Sequence, residues 1–185
     1  MGKKKKIPRQ SIAQDSKVVN NSVPVNVDGN IVFDLSFDGL YYSVEHKHKN
    51  GDFTNYLESA HDFVEKFKVM RKLITDFSRR KFTDILKLPH CHVLEKERAV
   101  LAEKCIEKAR LAANSAVSNN FDKQVLDGER LYQLGQEKGI RLIGIYDSNK
   151  GIFYVMMIDY HHRIYYDQKK NRVGKNFKYC PMTSK

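Results

Sequence analysis

Six of the seven histidines in this chain come in close pairs, His46/His48, His90/His92 and His161/His162. Imidazole titrates near neutrality, so one ring can give up a proton while another takes one. In an extended His-x-His pair both rings point to one side, whereas adjacent His161 and His162 diverge and only one of them can join a given site. Two arginines, Arg141 and Arg163, and the phenols of Tyr146 and Tyr165 lie in the same carboxyl-terminal stretch as His161 and His162. A guanidinium at a strand end clamps phosphate or pairs with a carboxylate such as Asp147 or Asp159. Tyrosines interleaved with cations suit stacking on single-stranded bases, and they are also ordinary strand residues.

The same residues have other readings. The paired histidines can be loop-end side chains bonded to backbone. His90, Cys91 and His92 also offer zinc ligand types that Asp159 or His161 would complete, but the spacing is looser than structural zinc sites use, and no metal is expected. Cys91 offers a thiol between two imidazoles, with no oxyanion hole identifiable beside it.

The elements that position these groups centre on residues 139–166. Residues 141–146 are apolar and branched, residues 147–151 carry turn chemistry, and residues 152–158 hold seven uncharged residues in a row. Such a run without alternation predicts a strand covered on both faces, in the middle of the sheet. Residues 164–166 begin a third strand. At the other end, Asp28-Gly29 and Asp38-Gly39 are hairpin signals between strands at residues 23–27, 31–37 and 40–45, an amino-terminal β-meander.

Between these lie helices. Apolar residues from Phe53 to Phe77 recur every three or four positions and predict one long amphipathic helix, with Asp52 as N-cap and with Phe63 and Phe67 in the core. A short helix over residues 82–88 ends at Pro89, and a third spans residues 95–116. Residues 130–134 form a strand feeding residues 135–139. The fold class is therefore α+β: an antiparallel sheet with a long amphipathic helix and shorter helices packed on it, opened by the meander. Residues 1–22 read as a flexible basic arm and residues 23–185 as a single domain.

Charge narrows the partner. The 185 residues carry a formal net charge of +11, with five cations and no acid in residues 1–9 and nine Lys/Arg against three Asp in residues 139–185. A polyanion is the expected partner, with RNA first, held by Arg163, Lys169, Lys170, Arg172 and Tyr146. Three unpaired, widely spaced cysteines fit a reducing cytoplasm, and no stretch approaches a membrane span. Nucleotide-hydrolase, dinucleotide-binding and paired-carboxylate motifs are absent, and no cofactor is expected.

Residues 131–167 resemble the sheet of the RelE/ParE-type toxin superfamily, through Arg141-Leu142-Ile143-Gly144-Ile145, the apolar strand after it, and His161-His162-Arg163-Ile164-Tyr165. The chain also resembles small uncharacterised proteins of phages and mobile elements that pair a His-x-His segment with a later Asp-x-x-His-x-[IL]-Tyr strand end. The first resemblance implies a metal-independent endoribonuclease, a toxin or phage-defence effector with a cognate inhibitor or antitoxin. In that chemistry a ribose 2′-hydroxyl attacks the adjacent phosphate, and the site needs a base, an acid and a cation. The expected roles are His92 and His161 as exchanging acid and base, Arg141 as charge stabiliser and Tyr165 as positioner, with His90 and His162 as alternates. The alternative is a non-catalytic nucleic-acid-binding or protein-interaction module.

Overall fold

The computed structural model describes residues 29–49, 51–113, 130–136, 139–166 and 177–183. The architecture is α+β. Five strands form one mixed sheet: β1 (Val32–Asp34), β4 (His92–Val93), β5 (Leu131–Gly135), β6 (Arg141–Asp147) and β7 (Ile152–Asp159), in the order β1-β7-β6-β5-β4. β2 (Glu45–His46) and β3 (Phe53–Thr54) make a separate small hairpin. The helices are α1 (Ala60–Phe77), α2 (Phe82–Ile85) and α3 (Lys96–Ala112).

β6, not β7, is the central strand. β7 is nevertheless an interior strand, because β1 pairs with its outer edge in parallel, and the helical layers on either side bury both of its faces. The amino-terminal strands are present, but β1 joins this edge instead of pairing with its neighbour in sequence. The strand expected at residues 23–27 and the arm at residues 1–22 lie outside the described residues.

The sheet divides the core in two. α1 and α2 put Met70, Leu73, Phe77, Phe82 and Ile85 against Leu134, Leu142, Phe153, Val155 and Ile158. α3 puts Leu101, Cys105 and Ile106 against Leu131, Ile143, Ile145, Met156 and Met157. Two consecutive methionines face the same layer because the β6–β7 register slips at Ile143/Gly144: Ile143 pairs with Met157 and Gly144 with Val155, leaving Met156 as the extra residue of a bulge. A bulge reverses the in–out parity of everything after it. It therefore sets which face Asp159 and the following turn present.

Two helical expectations change. Residues 53–59 are not helical: Phe53 and Thr54 pair with Glu45 and His46, and Leu57 bridges Tyr179. The helix starts later, with Ser59 accepting from the Asp62 N–H as N-cap in place of Asp52. Its buried stripe is Met70, Leu73 and Phe77, while Phe63 is half-buried and Phe67 is 40 % exposed. Ile164 and Tyr165 lie in a turn and Tyr166 in irregular chain, so residues 164–166 do not form a third strand. No helix among the described residues is long and apolar enough to cross a membrane.

Candidate active site

Strand register builds the floor of the site. His92 stands opposite Gln133, which stands opposite Ile143. In the next row toward the strand ends, Gly135 stands opposite Arg141 and Arg141 opposite Asp159. Residues opposite one another in a ladder project to the same face. His92 and Gln133 therefore share a face with Arg141 and Asp159, the face that α3 covers.

His92 is held on both nitrogens. Its Nδ1 lies 3.0 Å from the Val93 carbonyl oxygen, which can only accept, so Nδ1 carries the proton. Its Nε2 then accepts from the Gln133 amide at 3.2 Å, and the same amide nitrogen donates to the His90 carbonyl at 3.3 Å. The Tyr165 hydroxyl lies 3.4 Å from His92 Nδ1, and the two rings meet edge to face at 5.1 Å. Arg98 of α3 lies over the Tyr165 ring at 5.3 Å and donates to the Ile164 carbonyl at 2.8 Å.

Two further imidazoles converge on this pair. The His90 and His162 ring centroids are 6.5 Å apart, and His162 lies 6.2 Å from the Tyr165 ring. Both histidines have left-handed backbone, φ 68° at His90 and φ 58° at His162. A side chain beyond glycine rarely adopts that conformation. Burial, and then the charge of Arg141, hold His162 below the ordinary histidine range, with His90 and His92 adding to the effect and Asp159 opposing it. A depressed imidazole is neutral near pH 7 and available as a base.

The structure thus brings together four of the expected residues, His90, His92, His162 and Tyr165. His161 is not among them. Its ring bonds the Tyr56 carbonyl at 2.7 Å and lies 4.2 Å from the Phe177 ring, and burial pulls its pKa down. The His92–His161 pairing is therefore replaced by His90 facing His162. Arg141 is 2 % exposed, and its Nη1 donates to the Gln136 and Ile140 carbonyls at 2.7 and 2.9 Å. It acts on the site as a buried charge beneath it rather than as an open clamp.

Arg163 is 4 % exposed, donates to the Asp52 carbonyl at 3.1 Å, and lies over the Tyr166 and Phe177 rings. Tyr146 stacks on Phe82 at 3.8 Å, inside the α2 packing. Both are structural here rather than an exposed binding surface. Lys169, Lys170 and Arg172 lie outside the described residues. The Cys91 thiol is buried beside the Gly135 carbonyl, and burial raises its pKa, the reverse of what a nucleophilic thiol needs. Among the described residues no group of three His, Cys, Asp or Glu side chains is set to hold a metal ion.

Gln133 and Arg98 were missed by the sequence reading. The signal for Gln133 was a lone amide inside the apolar strand Leu131–Gly135; its Oε1 is buried without a hydrogen-bond partner among the described residues. A buried acceptor left unmatched costs about 1–3 kcal/mol and marks a place where a donor is wanted. Arg98 carried no signal, since it occupies an ordinary position on a charged helix.

A model of the family described as uncharacterised protein UU032 matches residues 36–185, and the chain belongs to that family. No curated protein and no solved structure matches it.

Proposed function

We propose that this member of the UU032 family acts on RNA, as a metal-independent endoribonuclease of the toxin or phage-defence kind. The observation that supports it best is the facing pair His90 and His162, two imidazoles on strained backbone with their rings 6.5 Å apart. Strain of this kind concentrates where geometry serves function. At that separation both rings come within one hydrogen-bond reach, about 3 Å, of a group held between them.

His162, kept neutral by burial and by Arg141, takes the ribose 2′-hydroxyl proton. As the oxygen attacks phosphorus, His90 on the other side gives a proton to the departing 5′-oxygen. His92, fixed by Val93 and Gln133, orients Tyr165, whose hydroxyl positions the phosphate. The resemblance of the carboxyl-terminal strands to RelE/ParE-type toxins adds weight, and in that setting a cognate inhibitor or antitoxin is a second partner.

Purified protein should cut RNA in the presence of EDTA, with or without ribosomes, and His162→Ala and His90→Ala should each abolish cutting while the fold survives. Intact RNA under all these conditions, or full activity in both variants, overturns the enzymatic reading. A second reading, binding without cleavage, is favoured by the basic surface of residues 66–87, which hold eight Lys/Arg against two Asp. Salt-dependent RNA binding without any cutting would establish it.

A further inference from the structure

A cavity of about 410 Å³ opens between α1, the segment after α2 and the start of β6, lined by Val69, Leu73, Leu88, Pro89 and Ile140 with Lys72, Arg80, His90 and Gln136 around them. We propose that it is a nucleotide pocket, holding one base of a single-stranded RNA with the attached phosphate outside. The proposal rests on the RNA reading above and adds to it the place where a base is held.

Three observations carry it. The volume lies in the range of small-ligand sites, about 300–1,000 Å³, and Val69, Leu73, Leu88, Pro89 and Ile140 give it an apolar wall against which a base face can lie. Among the described residues, the charged side chains in its lining are both cationic, Lys72 and Arg80. The Arg80 backbone is anchored, because its carbonyl accepts from the Ile31 N–H at 2.9 Å just before β1. Gln136 presents an amide, which can both donate to and accept from a base edge. Lys72 also borders a neighbouring hollow formed by Lys68, Arg71, Thr75 and Asp76, so the cationic surface continues along α1.

The position ties the pocket to the histidines. His90 belongs both to the pocket wall and to the pair with His162. A base seated against Pro89 and Ile140 places its own phosphodiester next to His90. The pocket then selects which linkage lies between the two imidazoles, which is what an endonuclease acting on single strands needs.

The test uses the full chain, a fluorescent single-stranded oligoribonucleotide and free nucleoside monophosphates as probes. Val69→Trp fills the pocket, and the double variant Lys72→Glu with Arg80→Glu reverses its rim while leaving the core untouched. Each should weaken oligoribonucleotide binding about tenfold or more, the scale of one lost stacking contact. Loss of monophosphate binding as well identifies an autonomous nucleotide pocket; loss for the oligoribonucleotide alone identifies a subsite that needs the strand. Both outcomes support the proposal. RNA bound equally by wild type and both variants overturns it and leaves the RNA reading standing. Monophosphates bound in the pocket by a protein that neither binds nor cuts RNA sink the RNA reading and keep the pocket. Binding of neither probe overturns both. If Val69→Trp does not fold, the surface double variant decides alone.

Discussion

His90 and His162 face each other with ring centroids 6.5 Å apart, each from a left-handed residue in a different loop. His90 follows Pro89 at the end of the α2 segment, and His162 follows the turn after β7. Neither ring lies on a regular element, yet each is anchored by one. The Gln133 amide holds the His90 carbonyl from β5, and Asp159 at the end of β7 accepts from the His161 and Ile164 N–H groups on either side of His162.

The first prediction is a loss of stability in mild acid. His161 and His162 both have pKa values lowered mainly by burial. In the unfolded chain they titrate near the reference value of about 6.5. Above that pH both states are neutral and the full stability is present. As pH falls below it, the unfolded chain takes up protons that the folded chain refuses, so stability declines toward the folded pKa. The urea midpoint should fall between pH 8 and pH 5, and less steeply in His162→Gln. An unchanged slope in that variant would show that His162 protonates as easily folded as unfolded.

The second prediction separates two phenylalanines of one helix. Phe77 is fully buried, and Phe77→Ala should cost about 3–5 kcal/mol in denaturant unfolding. Phe67 is 40 % exposed and touches Phe63 at 5.9 Å, so Phe67→Ala should cost under about 1 kcal/mol. Equal costs would mean that a partner or a second copy covers the Phe67 face.

The third prediction concerns the bulge. A Cβ on Gly144 would run into the Tyr154 carbonyl oxygen and the Phe153 ring, neither of which can swing aside. Gly144→Val should cost at least about 1–3 kcal/mol by overpacking. Gly139→Ala is the control: among the described residues nothing lies within 4 Å of a Cβ added there, and its φ of 84° is unfavourable, a penalty of about 1–2 kcal/mol. A benign Gly144→Val would mean that the bulge relocates easily, and the turn at His162 would then be less rigidly placed than argued.

What the sequence disclosed and withheld follows from the range of the interactions. β6 and β7 were legible because branched apolar runs bounded by Asp147 and Gly151 have a strong local signature. The helical spacing of Phe53, Tyr56 and Leu57 was equally local but misleading: strand and bridge pairing with Glu45, His46 and Tyr179 of the same chain overrides it. The start of α1 was therefore placed too early. At the site, the divergence of His161 and His162 was legible, since neighbouring residues cannot share a direction. Which one turns inward was not, because that depends on the bulge at Met156 and on a left-handed residue, and neither leaves a mark in composition. Arg141 was correctly placed beside the end of β7, while its burial depended on Gly135, whose missing side chain leaves room for the guanidinium stem.

The last prediction tests the buried charges beneath the histidines. Arg141 and Asp159 are opposite each other at the ends of β6 and β7, and both are buried. The Asp159 carboxylate accepts from the His161 N–H at 3.2 Å and the Ile164 N–H at 2.8 Å, so it shapes the turn that carries His162. Its charge also offsets the burial that pulls the Arg141 guanidinium down. Asp159→Ala removes two charge-assisted hydrogen bonds, each worth about 1.5–3 kcal/mol, and strands a buried cation, so it should cost about 3 kcal/mol or more. Arg141→Met removes the cation and keeps the volume of its stem. If the two charges support each other, the double variant should be less destabilised than the sum of the singles by about 0.5–3 kcal/mol. Additive costs would show that they are independent. Arg141→Met has a second readout that stability alone would not move. With the neighbouring charge gone, the His162 ring should titrate at higher pH in an NMR experiment, because Arg141 is the largest charge effect lowering it. A His162 titration unaltered by Arg141→Met would remove Arg141 from the site altogether.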